Sequence, residues 1–264
     1  MARLIPAAVI IAAATAWPTA VHAAITTYTL GDTHYETLHP SNEMSLQQFF
    51  VTYADPFARP DGTPLDLIAD QSQIQQFSVM DQPVTLAMTL LGGFAGYKNI
   101  LGVYSYDMNL DPAAAPLTMT PLVTGNVTPP GSTVTFTIAA GRNFGFYLDA
   151  NGGANSRGIY YSENSRNTDG SHWNAATDHF LMFNTNHGLA ISAEDLSYQH
   201  GAGLLGDQDY QDMIGLLTRV DGLPIDLDVA IPEAIPEPAT LLILTAAGLM
   251  VMAIDRRHPR LSLP

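Results

Sequence analysis

Val134-Thr135-Phe136-Thr137-Ile138 alternates apolar and hydroxyl side chains without a break. A period of two puts Val134, Phe136 and Ile138 on one face and the threonines on the other, as in a half-buried strand. Pro129-Pro130-Gly131, just upstream, reads as a turn between strands. Segments of the same kind recur outward along the chain. Val84–Leu91 and Leu101–Met108 lie before it; Phe144–Leu148, Gly158–Ser162, His179–Phe183, Leu189–Ser192 and Met213–Val220 lie after it. Each is short, apolar or alternating, and bounded by Gly, Pro, Asn or Asp. No window holds a long helical period, and Ser45–Tyr53 fits either a short helix or a strand. Short strands about a dozen residues apart predict an all-β chain, an antiparallel β-sandwich or jelly-roll-like domain. With no internal repeat and no Gly/Ser linker, one body is expected over residues 24–231.

The 264 residues include 25 acidic and 10 basic side chains, 8 His and no Cys. A formal charge of −15 argues against nucleic acid and anionic lipid surfaces, whose recognition begins with Lys and Arg. The absence of Cys excludes disulfides, zinc–thiolate sites and thiol catalysis. Residues 24–231 carry 22 acids against six basic side chains, a body charge of −16, and 18 of those acids are Asp. Asp is a poorer helix former than Glu and favours turns, caps and hard-cation sites.

Both ends read as addresses. Arg3, an apolar run from Leu4 to Ala16 and the small-residue exit Val21-His22-Ala23-Ala24 make a secretory signal peptide over residues 1–23, cut between Ala23 and Ala24. At the other end a tether and Pro236-Glu237-Pro238 (residues 232–238) precede an apolar run, 239–254, at the lower edge of a spanning length. Arg256 and Arg257 follow in a basic tail, 255–264, which the positive-inside rule keeps cytoplasmic. This triad resembles the PEP-CTERM sorting signal of Gram-negative bacteria; Asp255 and the extension His258–Pro264 depart from it. The N-terminal leader implies export with removal of the leader by signal peptidase; the C-terminal resemblance implies a transient stay of the helix in the inner membrane and cleavage by an exosortase-type membrane protease. Release to the cell surface or into extracellular polysaccharide would follow.

Three polar stretches carry the candidate chemistry. Asp149-Ala150-Asn151-Gly152-Gly153 is the first; Tyr160-Tyr161-Ser162-Glu163-Asn164, continuing to His172-Trp173 and Asp178-His179, is the second. The third is Glu194-Asp195-Leu196 with Asp207-Gln208-Asp209-Tyr210-Gln211-Asp212. With Asn99–Tyr104 and Gly145–Leu148 they resemble, over residues 80–222, a bacterial extracellular domain of unknown function, number 4114. Gln211 stands where that family has Asn. The resemblance implies a surface domain without established catalysis and suggests a calcium site.

In a loop, Glu194, Asp195, Asp207, Asp209 and Asp212 can converge on calcium, which takes six to eight oxygens. The spacing is not that of an EF-hand, and Asp-rich turns bonding their own backbone are the other reading. Trp173, Tyr161 and Asn164 are candidate ligand contacts, since aromatic faces beside amides suit sugars. Asp178 and His179, adjacent on a strand, point to opposite faces and make no acid–base pair. Glu194 with Asp207 is the one pair to weigh for glycoside hydrolysis. The sequence therefore predicts an exported, non-enzymatic, calcium-stabilised β domain acting in exopolysaccharide or biofilm, with a lectin-like module as the alternative and a glycosidase as the remote one.

Overall fold

The computed structural model describes residues 25–29, 44–72, 74–167, 178–199, 204–205 and 209–225. A first sheet runs β1 (Ile25–Thr29), β2 (Ile74–Val79), β7 (Arg142–Ala150), β4 (Ile100–Asp107), β5 (Thr118–Thr124), with β8 (Gly158–Tyr161) paired to the far half of β7. A second runs β6 (Thr133–Ile138), β3 (Val84–Gly92), β13 (Met213–Arg219), β10 (Gly188–Ala193), β9 (Phe180–Thr185). β11 (Tyr198–Gln199) and β12 (Leu204–Leu205) form a separate small ribbon. Every pairing is antiparallel, and the two large sheets enclose one core: the sandwich expected from the alternation.

The core follows from the period of two. Val84, Leu86, Met88 and Leu90 of β3 face Leu101 and Val103 of β4 and Phe144, Phe146 and Leu148 of β7 in one buried cluster. The other face of the second sheet is partly covered by α1 (Leu46–Thr52). Ser45 and Gln48 close a capping box at its start. Leu46, Phe49 and Phe50 then pack on Leu181, Phe183 and Ile214. Ser45–Tyr53 is thus a helix, because its apolar residues fall on one helical stripe over an already formed sheet.

All eight strand segments read from the sequence are present as β3, β4, β6, β7, β8, β9, β10 and β13. β2 and β5 escaped that reading for different reasons. Ile74-Gln75-Gln76-Phe77-Ser78-Val79 is buried at all six positions, polar ones included. Its polar side chains bond across the outer layer: Ser78 donates to Asn143, Tyr106 to Gln76, and Gln75 accepts from the Asn164 N–H. β5 contains Pro121, which a sheet tolerates because β5 is an edge.

The outer face of the first sheet carries its own layer. Tyr104, Tyr106 and Tyr147 form a buried cluster, with Tyr161 packed against it. The β8 end folds back over them, and Arg166 lies 4.8 Å above the Tyr106 ring centroid. The expected signal peptide with its Ala23/Ala24 cut, the Pro236-Glu237-Pro238 motif, the 239–254 run and Arg256-Arg257 lie outside the described residues. Among the described residues no helix is long and apolar enough to cross a membrane.

Candidate metal centre

β10 and β13 are neighbours, and their pairing ends at Ala193↔Met213. One step further along each strand lie Glu194 and Asp212, so the register sets them beside one another. The backbone N–H of Asp195 donates to the Asp212 carboxylate at 2.7 Å. One carboxylate oxygen from each of Glu194, Asp195 and Asp212 lies within 4.8 Å of the other two. Oxygens bound to one calcium at about 2.4 Å can be at most about 4.8 Å apart, and the three satisfy that limit. Glu194 and Asp195 are buried and Asp212 is half-buried. Two carboxylates at that separation repel by roughly 3 kcal/mol at an effective dielectric near 20.

The surroundings hold the carboxylates in place. Fully buried Asn99, just ahead of β4, donates through Nδ2 to Asp195 at 2.6 Å. Its Oδ1 accepts from Asn151 N–H at 3.0 Å, and its carbonyl accepts from Gly125 at 2.7 Å. One side chain from the first sheet thus pins an acidic residue of the second. The Glu194 side chain accepts the N–H of Leu196 at 3.1 Å. Gly93 lies against the Asp212 backbone: a Cβ there would sit 2.6 Å from the Asp212 carbonyl oxygen. Tyr210, fully buried, holds φ at 54°, a left-handed turn that costs a non-glycine residue about 1–2 kcal/mol. Its hydroxyl donates to the Asp178 carbonyl at 2.6 Å, which fixes the turn leading into Asp212. A cavity of about 250 Å³, lined among others by Gly93, Tyr97 and Asn126, has Asp212 in its wall.

Of the five residues expected to bind calcium, the fold brings together Glu194, Asp195 and Asp212. Asp209 is not in that group; it accepts from the N–H and the Nε2 of Gln211 at 3.2 and 2.8 Å, local bonding typical of Asp in turns. Asp207 lies outside the described residues, as does Trp173. Asn164 is 2% exposed and its N–H donates to Gln75 at 2.9 Å; Tyr161 packs edge-on against Tyr104 at 5.4 Å. Both belong to the layer on the first sheet. The His179 ring stacks on Tyr160 with centroids 3.7 Å apart, and its Nδ1 lies 3.0 Å from the Glu194 carbonyl. His179 therefore clamps the loop that presents Glu194. Motif reading did not single out Gly93, and it quoted Asn99 only as the head of the Asn99–Tyr104 segment, with no role beside the acids; both roles depend on contacts between segments far apart in the chain.

Fold and site define an antiparallel β-sandwich with an acidic centre at one end of its second sheet. Residues 129–217 of the chain match a family described as a domain of unknown function (DUF4114). That stretch holds all three carboxylates and is narrower than the 80–222 of the sequence resemblance, leaving out Asn99–Tyr104. No curated protein and no solved structure matches the chain.

Proposed function

We propose that the chain is an exported surface domain whose sandwich is locked by one calcium ion at Glu194, Asp195 and Asp212. The observation that carries this reading is the convergence of three carboxylates on one ion-sized volume at the end of paired strands. Asp and Glu oxygens are hard donors, and among the described residues the cluster holds no sulfur or imidazole, which suits calcium over zinc or copper. The ion offsets the mutual repulsion of the acids and ties the β10 end to the β13 end. The N-terminal leader and the Pro-Glu-Pro signal support handling by signal peptidase and an exosortase-type protease, with delivery to the cell surface or exopolysaccharide. In that setting the domain acts as a structural or interaction module of the matrix, without a catalytic role; His179, held by Tyr160 and a backbone carbonyl, is in keeping with that.

The test is thermal unfolding of the chelated protein with added calcium. Linkage gives about 2.7 kcal/mol at a hundredfold excess over Kd, which for a domain of this size raises Tm by roughly 5–10 °C. Asp212→Asn is expected to remove most of the rise. A Tm that stays flat to millimolar calcium, or a rise that survives Asp212→Asn unchanged, overturns the reading.

A further inference from the structure

The two edges of the second sheet differ. Along β9 the segment before β2 covers the outer side: Ser72 N–H donates to the Met182 carbonyl at 2.8 Å, and Gln71 bridges to Phe183. β5, an edge of the other sheet, is interrupted by Pro121. Among the described residues no strand pairs with the outer side of β6, and its sequence has none of the usual protections. Thr133-Val134-Thr135-Phe136-Thr137-Ile138 contains no charge, no Pro and no Gly, and pairs with β3 in unbroken register. Native sheets blunt such edges unless they are used.

The pairing shows which groups β6 leaves free. Leu90 N–H bonds Ser132 on the β6 side, whereas the Thr85 carbonyl accepts from Val220 on the β13 side. By antiparallel alternation the N–H and C=O of Thr133, Thr135 and Thr137 point away from β3. All three residues are exposed. Their hydroxyls continue onto the sheet, with Thr137 bonded to Thr85 at 3.0 Å and Thr133 to Thr89 at 2.8 Å.

Charge says what fits there. The chain carries −15, yet residues 112–141 contain no Asp, Glu, Lys, Arg or His. The adjoining outward positions Thr85, Ala87, Thr89, Leu216 and Thr218 are uncharged as well. Most approaches between two copies bring acid against acid; this seam does not. The strand is also self-complementary. About a two-fold axis at Thr135, Thr133 of one copy faces Thr137 of the other and Val134 faces Phe136. All the outward main-chain groups of the three threonines then find partners, and no charged side chain meets another. An isologous contact of this kind closes at two copies.

We propose that β6 is a homodimerisation edge, joining the five-stranded sheets of two copies into one continuous antiparallel sheet through Thr133–Thr137. Sedimentation equilibrium of the purified chain in the micromolar range is expected to give twice the single-chain mass. Thr135→Lys places a charge on the axis. Thr135→Pro removes an N–H that serves only the partner, so β6 keeps its bonds to β3. Both variants are expected to halve the mass while leaving the circular dichroism unchanged. A wild-type chain of single mass, or a doubled mass that persists in folded Thr135→Lys, overturns the proposal. So does a monomer that binds insoluble polysaccharide and loses that binding in Thr135→Lys, since the face would then serve a glycan.

Discussion

Asn99 uses both polar ends of its side chain, one on Asp195 and one on the N–H of Asn151. Because it is fully buried, truncation strands both partners. Asn99→Ala is expected to cost about 1–3 kcal/mol. Asn99→Asp is expected to cost more, since it replaces a donor with a second negative charge against Asp195; saturating calcium would return part of that loss. Urea midpoints of the two variants, with and without calcium, check this, and equal losses unaffected by calcium would contradict it. Gly93→Ala probes the same corner from β3. A methyl 2.6 Å from a carbonyl oxygen requires the backbone to shift, an overpacking cost of about 1–3 kcal/mol, read as a lower Tm and weaker calcium response.

At the scale of elements, the layer over the first sheet is held by the turn that follows β8. Arg166 donates to Glu163 at 2.6 Å and to the Pro112 carbonyl at 2.6 Å, and Tyr104 donates to Glu163 at 3.1 Å. Glu163 is 1% exposed, so removing Arg166 leaves a buried carboxylate without its counter-charge. Arg166→Ala is expected to destabilise by about 3–5 kcal/mol, and the double change Arg166→Met with Glu163→Gln by less, because it removes both charges. Denaturant unfolding of the two variants decides it; a double variant as damaged as the single would refute the argument.

The same layer sets an alkaline limit. Burial, and then the Asp149 charge, push the Tyr147 phenol up to about 12, and burial followed by the Glu163 charge pushes Tyr104 well above its usual range. The fold thus retains phenol protons that the unfolded chain releases near pH 10. The tyrosine contribution to stability is complete below pH 10 and is lost as pH rises toward 12. Tm measured from pH 8 to 12 is expected to fall only above 10. Tyrosine absorbance in the folded protein should show a late-titrating fraction, reduced in Tyr147→Phe.

At the scale of the molecule, self-repulsion is the dominant electrostatic fact. Monovalent salt screens a body charge of −16 and is expected to raise Tm gradually. Under the proposed calcium site at Glu194, Asp195 and Asp212, calcium at equal ionic strength is expected to do more, because a site-bound ion does more than screen. Matched sodium and calcium titrations separate the two effects, and identical curves would leave only screening.

The sequence by itself determined the class of fold. Runs such as Val134–Ile138 and Val84–Leu91 encode their secondary structure locally, because a strand's burial pattern is written in every second residue. It also marked the acid-rich stretch Glu194–Asp212, since Asp density is a property of composition. β2 was hidden, because its glutamines and serine are satisfied by partners remote in the chain. Which acids meet was decided only by tertiary structure. The Ala193↔Met213 register sets Glu194 and Asp195 beside Asp212, whereas Asp209 is not in that group and bonds Gln211. Asn99 and Gly93 become part of the site only when the two sheets close on each other, and the physical reason is the same throughout. Alternation is a short-range property of the chain, whereas convergence of like charges is imposed by strand pairing between segments that the sequence keeps apart.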